Sequence, residues 1–235
     1  MTNTTKGKKD MVQNMFNDIA PRYDLLNHLL SADIDKIWRR KVRRSLAPAN
    51  PKQILDVASG TGDLAIELAK MPVERIVGID IANEMLEIGR VKVKRKGLDP
   101  VIELQTGDSE AINFPDEEFD AVTVAFGVRN FENLDAGLKE MQRVLKKGGQ
   151  VAVLEFSKPA GFPMRNLYYF YFKRVLPLIG RMVSKHDSAY TYLPASVVAF
   201  PEGTHFMQRM KAAGFSNPRQ KRLTFGIATL YLAEK

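Results

Sequence analysis

The chain has 235 residues, 45% of them hydrophobic and 26% charged, with a formal net charge of +8 and no cysteine. That length can bury a substantial core without staples, and the missing cysteines exclude disulfides, thiolate metal sites and a cysteine nucleophile. The cationic excess points to an anionic partner, nucleic acid or an acidic membrane surface, and charge alone does not choose between them.

The opening MTNTTKGKKDM is polar and lacks the apolar core of a secretory signal, so a cytoplasmic location is expected. Residues 13–46 have helical spacing with a break at 30–33, and residues 36–44 (KIWRRKVRR) form a basic run whose simplest reading is a solvated helix face. A loop with Pro48 and Pro51 leads into a short apolar strand at 53–57. Helices and strands then alternate: a helix at 64–70, a strand at 75–79, a helix at 84–95, and strands at 101–105 and 119–125. A further helix at 134–145 is expected to stop at Gly148-Gly149, before a strand at 150–156.

Beyond Ser157 the pattern changes. Residues 161–184 are aromatic-rich and helical in spacing, 203–213 form a helix, and 219–233 hold two strand-like runs. The most apolar stretch, 167–183, contains Lys173, Arg174, Arg181 and Pro177 and does not fit a membrane span. Apolar strands separated by helices predict a doubly wound, Rossmann-like α/β domain. Its sheet would be mostly parallel with an antiparallel last strand. One domain is expected over 1–235: a helical extension at 1–50, a cofactor-binding core at 51–157, and a substrate cover with closing strands at 158–235.

The segment Ile54-Leu55-Asp56-Val57-Ala58-Ser59-Gly60-Thr61-Gly62-Asp63 places two glycines in a strand-to-helix turn. Glycines there admit torsions that a side chain forbids and let a ligand approach the backbone. Gly60-x-Gly62-x-x-Ala65, with Asp80 downstream, also satisfies a loose nicotinamide-dinucleotide fingerprint. Three features favour S-adenosylmethionine (SAM) instead. Asp56 would order the turn and face a cationic amino-acid end, whereas it would repel a pyrophosphate. Gly107-Asp108-Ser109 offers an acid to an adenine amino group. The segment 144–149 (VLKKGG) resembles a loop common in SAM-dependent methyltransferases. Asp80 is expected to accept both ribose hydroxyls, although an acid ending its strand could equally cap the next helix. Thr61 and Gly62 would present backbone amides to the methionine moiety.

Tyr23-Asp24-Leu25-Leu26-Asn27-His28-Leu29-Leu30-Ser31 with Trp38, Phe126-Gly127-Val128-Arg129-Asn130, and Arg143 to Gly149 continuing through LEFSKP (154–159) together resemble the ubiquinone/menaquinone biosynthesis C-methyltransferases. The similarity runs from about Phe16 to Glu234. Four positions depart from that family's usual residues: Asp35 for His, Leu26 for Met, Lys147 for Pro, and Ala125 for a small hydroxyl residue. Asp35 is chemically the largest departure, because it removes an imidazole base.

The resemblance implies methyl transfer from SAM to a ring carbon of a polyprenylated hydroquinone, demethylmenaquinol giving menaquinol, with transient membrane-surface contact. Arg129 is the first candidate to stabilise a phenolate or orient a water; being protonated, it cannot itself be the base. Asn130 would fix the other ring oxygen and Tyr23 would lie over cofactor and ring. A surface ion pair is the plainer reading of Arg129. Part of Tyr168 to Phe172 and 175–183 would line a channel for the isoprenoid tail or pack as a helix pair, with Tyr190, Tyr192 and Ser196 as weaker wall candidates. His28, His186 and His205 are too scattered for a metal set. The competing functions are methylation of RNA or protein, or of a ubiquinone precursor, and a non-catalytic SAM-binding assembly role. An Asn-Pro-Pro-Tyr acceptor motif would favour nucleic acid, and Phe126 to Asn130 stands in its place.

Overall fold

The computed structural model describes residues 7–31, 33–159, 161–170, 174 and 187–235. Helices α1 (Lys8–Ser31) and α2 (Ile34–Leu46) precede a regular alternation. It comprises β1 (Gln53–Val57), α3 (Asp63–Leu68), β2 (Arg75–Asp80), α4 (Asn83–Arg95), β3 (Ile102–Thr106), β4 (Phe119–Ala125), α5 (Leu134–Val144) and β5 (Leu145–Phe156). Then follow α6 (Met164–Phe170), α7 (Asp187–Ala199), α8 (Thr204–Ala212), β6 (Ser216–Leu223) and β7 (Ala228–Glu234). The strands form one seven-stranded sheet in the order β3-β2-β1-β4-β5-β7-β6. β1 to β5 are parallel, and β7 runs antiparallel between β5 and β6. The order reverses between β1 and β4, which opens a crevice at the carboxyl ends of those strands, where such sheets bind ligands.

Alternate side chains of the inner strands feed two cores. Leu55, Val57, Val122, Val124, Val151 and Val153 pack against Leu138, Met141 and Val144 of α5 and Phe206 and Met210 of α8. Ile54, Ile76, Ala121, Ala152 and Leu154 face Trp38, Val42 and Leu46 of α2, Leu64 and Leu68 of α3, and Leu86 and Val93 of α4. Burial on both faces explains why the strands read as continuous apolar runs.

Two elements differ from expectation. α5 stops at Val144, before the glycine pair, and β5 starts at Leu145, which is fully buried and pairs with Phe119. The next partners are Ala121 and Gln150, so residues 146–149 loop out opposite one β4 residue. Gly148, at φ 77, and Gly149 shape that bulge and exchange backbone hydrogen bonds with Lys235. Burial of Leu145 and the ladder to β4 override the glycine stop signal. The second difference is α7, a helix that the sequence reading left unassigned.

Of the aromatic run, Tyr168 is buried and Phe170 exposed on α6; Tyr171, Phe172 and residues 175–186 lie outside the described residues, as do the side chains of Tyr169, Tyr190 and His28. Among the described residues no helix is long and apolar enough to cross a membrane.

Candidate active site

A cleft at the carboxyl edge is floored by the ends of β1, β2 and β4 and covered by α1. Asp56, Ala58, Ser59, Gly60, Thr61, Asp80, Asp108, Ser109, Asn130 and Tyr23 all line it, so eight of the ten residues predicted from sequence converge there.

The floor is acidic and rigid. Asp56 points to the α2–α4 face, the same side as its register partner Thr123. Thr123 Oγ1 donates to Asp56 Oδ1 at 2.7 Å and Ser59 Oγ to Oδ2 at 2.8 Å, so this carboxylate ties the turn to the sheet. Burial pushes the Asp56 carboxyl up to about 6, against the pull of Thr123, Ser59 and Arg39. Asp80 accepts from the amide of Gly60 at 2.8 Å through Oδ2 and from that of Ala82 at 2.9 Å through Oδ1. Capping and ribose binding are therefore not exclusive alternatives: the acid closes the turn after β2 and still borders the cleft. Burial raises its carboxyl above the ordinary range, against those amides.

Two strained residues stand on the same edge. Ala58 and Phe126, directly after β1 and β4, hold φ 53 and φ 59 without being glycine. A Cβ on Gly127 would lie 2.5 Å from that of Ala58, so only glycine lets the two loops meet. Gly60 also needs its glycine, at φ 56, with Met85 Cε 3.3 Å from where a Cβ would stand.

Gly62 and Arg129 do not line the cleft. The Gly62 amide donates to Ser59 O at 3.0 Å within the turn, and its Cα faces Leu104, so it shapes the loop without presenting that amide to a ligand. Arg129 is neither a surface ion pair nor a cleft residue. Its side chain is 7% exposed, and Nη1 contacts the Phe126 carbonyl and Glu155 Oε1, the latter at 2.8 Å from a fully buried carboxylate. The guanidinium also lies over the Phe156 ring, and Nε is buried without a hydrogen-bond partner among the described residues. Asn130, its neighbour, does border the cleft, and its Oδ1 receives the Tyr192 hydroxyl of α7 at 3.1 Å. Ser196 instead bonds Leu193 O on its own helix.

The cover is polar where it meets the floor. Lys9 Nζ reaches Asp108 Oδ2 at 2.7 Å, Gln13 Nε2 the Ile81 carbonyl at 2.6 Å, and Asn17 Oδ1 accepts from the Glu84 amide at 3.1 Å. Thr61 Oγ1 donates to Asp24 Oδ1 at 2.6 Å, and Lys92 Nζ bonds Asp24 Oδ2 at 2.8 Å and also contacts Asp63. Tyr23 stands edge-on to Phe16, 5.9 Å between centroids, in a small cluster with Ala20, Ala82 and Met85.

Arg39, like Lys9 and Asp63, is a cleft residue that sequence reasoning missed. It belongs to the basic run, yet it is buried, contacts Asp35 four residues earlier and lies 3.4 Å from Asp63. Asp35 is thus the buried counter-ion of a cleft arginine. The helical period carried the signal, since 35, 38, 39, 42 and 46 share the inner face.

This donor set fits SAM. Two carboxylates on adjacent strand ends suit an ammonium and a ribose diol, Arg39 suits a carboxylate, and a pyrophosphate would meet the buried Asp56. Fold and cleft define a doubly wound domain of the SAM-binding class. The chain belongs to the ubiE/COQ5 methyltransferase family, whose sequence profile matches residues 3–235. It is 48% identical over 229 residues to the demethylmenaquinone methyltransferase of Bacteroides fragilis, covering 97% of this chain and 94% of the relative. It is equally 48% identical over 234 residues to the ubiquinone/menaquinone biosynthesis C-methyltransferase UbiE of Geotalea daltonii, covering 99% and 98%. Among solved structures it is similar to the [4+2]-cyclase SpnF, with TM-score 0.70 at 15% identity over 97% of this chain and 96% of that one. A SAM-dependent methyltransferase structure from Methanococcus maripaludis gives TM-score 0.63 at 19% identity over 100% and 97%. A cyclase on this fold shows that architecture alone does not assign methyl transfer; the family does, and this enzyme is a SAM-dependent C-methyltransferase.

Proposed function

We propose that the enzyme methylates a ring carbon of a polyprenylated hydroquinone, demethylmenaquinol giving menaquinol, as a peripheral protein at the inner face of the membrane. The names of the relatives, one a demethylmenaquinone methyltransferase, support the substrate. The observation that carries the reading is Asn130, which borders the cofactor cleft on one side and Tyr192 of α7 on the other.

Bound SAM supplies an already activated methyl group, so the protein's task is proximity and alignment more than acid chemistry. Asp80 would hold the ribose, Asp108 and Ser109 the adenine end, and Asp56, Thr61 and Arg39 the amino-acid end. Asn130 would donate to a ring oxygen through Nδ2, oriented by the Tyr192 hydroxyl. Tyr23 would cover the flat ring from α1. Arg129 takes an indirect role. Its guanidinium, fixed by Glu155 and the Phe126 carbonyl, holds the 126–130 loop and so positions Asn130 without touching substrate.

The test incubates purified enzyme and labelled SAM with demethylmenaquinol, a demethoxyubiquinol analogue and bulk RNA. Label is expected in demethylmenaquinol. Label only in RNA, or in no quinol, refutes the proposal.

A further inference from the structure

One face of α2 takes no part in the site. The inner face carries Trp38, Arg39, Val42 and Leu46. Opposite them, at helical spacing, stand Ile37, Arg40, Lys41 and Arg44. None of these three cations pairs with any described residue, whereas Lys36 pairs with Asp33 and Arg43 with Glu67. Ile37 lies among them 48% exposed.

A second exposed apolar group adjoins this helix. Trp38 Nε1 donates at 2.8 Å to Thr224 Oγ1 in the turn between β6 and β7. The next residue, Phe225, is 78% exposed. Thr224 and Phe225 hold φ 45 and φ 57, a left-handed pair that bulky and β-branched residues rarely adopt. Pinning Thr224 from α2 sustains that conformation and projects an aromatic ring into solvent. Arg222 packs beside Gly226 in the same turn and makes no ion pair with a described residue. β6 runs parallel to β1 through β5, so this turn lies at the carboxyl edge of the sheet, the edge that holds the cleft.

We infer that the outer face of α2 and the Phe225 turn form a docking surface for an anionic lipid bilayer. Arg40, Lys41, Arg44 and Arg222 would meet the headgroups, and Ile37 and Phe225 would enter the interface. A nucleic-acid backbone would satisfy the cations but leave Ile37 in water; a bilayer interface accommodates both. Docking there would bring the open edge of the sheet toward the phase that dissolves a polyprenylated substrate. The inference rests on the peripheral location proposed above and names the surface that would carry it; it is tested without substrate, so its failure leaves the quinol assignment to the methylation assay.

The test sediments the full chain with neutral phosphatidylcholine vesicles and with vesicles containing about one third phosphatidylglycerol. Binding is expected only to the anionic vesicles, weakening with salt. Each cation near such a surface strengthens binding roughly five- to tenfold, so the triple variant R40Q/K41Q/R44Q should lose about a hundredfold or more. F225A, which removes one interfacial ring, should lose about tenfold. Arg40, Arg44 and Phe225 are exposed and Lys41 is half-buried, and both variants should keep their SAM affinity and thermal midpoint, which shows that they fold. Equal binding to neutral vesicles, variants that bind like the parent, or cation loss that abolishes RNA binding while sparing vesicles would each overturn the inference.

Discussion

Replacing Arg129 by methionine keeps most of the side-chain volume but strands Glu155, whose side chain is fully buried. Besides Arg129 Nη1, that carboxylate accepts from the amides of Phe156 at 2.8 Å and Arg129 at 3.3 Å. Breaking a buried pair by removing one partner costs about 3–5 kcal/mol. For a chain of this size that lowers the thermal midpoint by about 12 °C. Burial already pushes the Glu155 carboxyl above the ordinary range, with Arg129 pulling against it. Without the guanidinium it rises further, so the native state of R129M binds a proton that the unfolded chain lacks. The penalty is therefore largest at alkaline pH and recedes as pH falls through the raised value. Removing the stranded charge in R129M/E155Q should recover most of the lost stability. Thermal unfolding of the parent and both variants at about pH 8 and pH 6 measures this. An R129M midpoint within about 2 °C of the parent, unmoved by E155Q, would show that the guanidinium is free to face substrate and that the buried-pair argument is wrong.

Three further outcomes follow from the cleft. Asp80→Asn should weaken SAM binding at least tenfold by calorimetry, because a neutral amide cannot accept two charge-assisted hydrogen bonds; an unchanged Kd would remove the ribose role. With the Asp56 carboxyl at about 6, SAM affinity should be flat above about pH 7 and fall up to tenfold per unit below 6, and Asp56→Asn should abolish the slope. The sign for stability is set by the same shift. Between the unfolded value of 3.8 and about 6 the native state holds the extra proton, so this group's contribution declines as pH rises through that window and levels off above it. Tyr192→Phe leaves Asn130 without its donor and should reduce quinol turnover about tenfold while SAM affinity stays within about twofold; an equal loss of SAM binding would mean that the contact only supports the fold.

Most of the fold was legible because the inner strands are buried on both faces and separated by glycine and proline signals. Asp56, Gly60 and Asp80 were legible for the same reason: they sit at fixed offsets from strand ends. Arg129 was misplaced because a motif gives proximity but not direction. Residues 129 and 155 lie far apart in sequence, and only the pairing of β4 with β5 brings a buried acid to the arginine. Gly62 falls outside the cleft lining because a glycine turn does not reveal which amides the loop keeps for itself. Lys9 and Asp108 meet across 99 positions, and nothing local to either foretells it. Arg39 could have been found, since its period placed it inward, but the charge of its neighbours obscured that.

The pairing of Asp56 with Thr123 has a consequence for how the site assembles and opens. Because those residues are register partners of β1 and β4, the acidic floor forms when the two strands zip together, and a slip of one residue would send the carboxylate to the opposite core. Much of the cover depends on side-chain bonds from Lys9, Gln13, Asn17 and Asp24 of α1, contacts that water can replace one at a time. The cleft thus has one wall as durable as the sheet and one that rests on a small apolar cluster and exchangeable polar ties, so the cover can loosen while the strands stay paired.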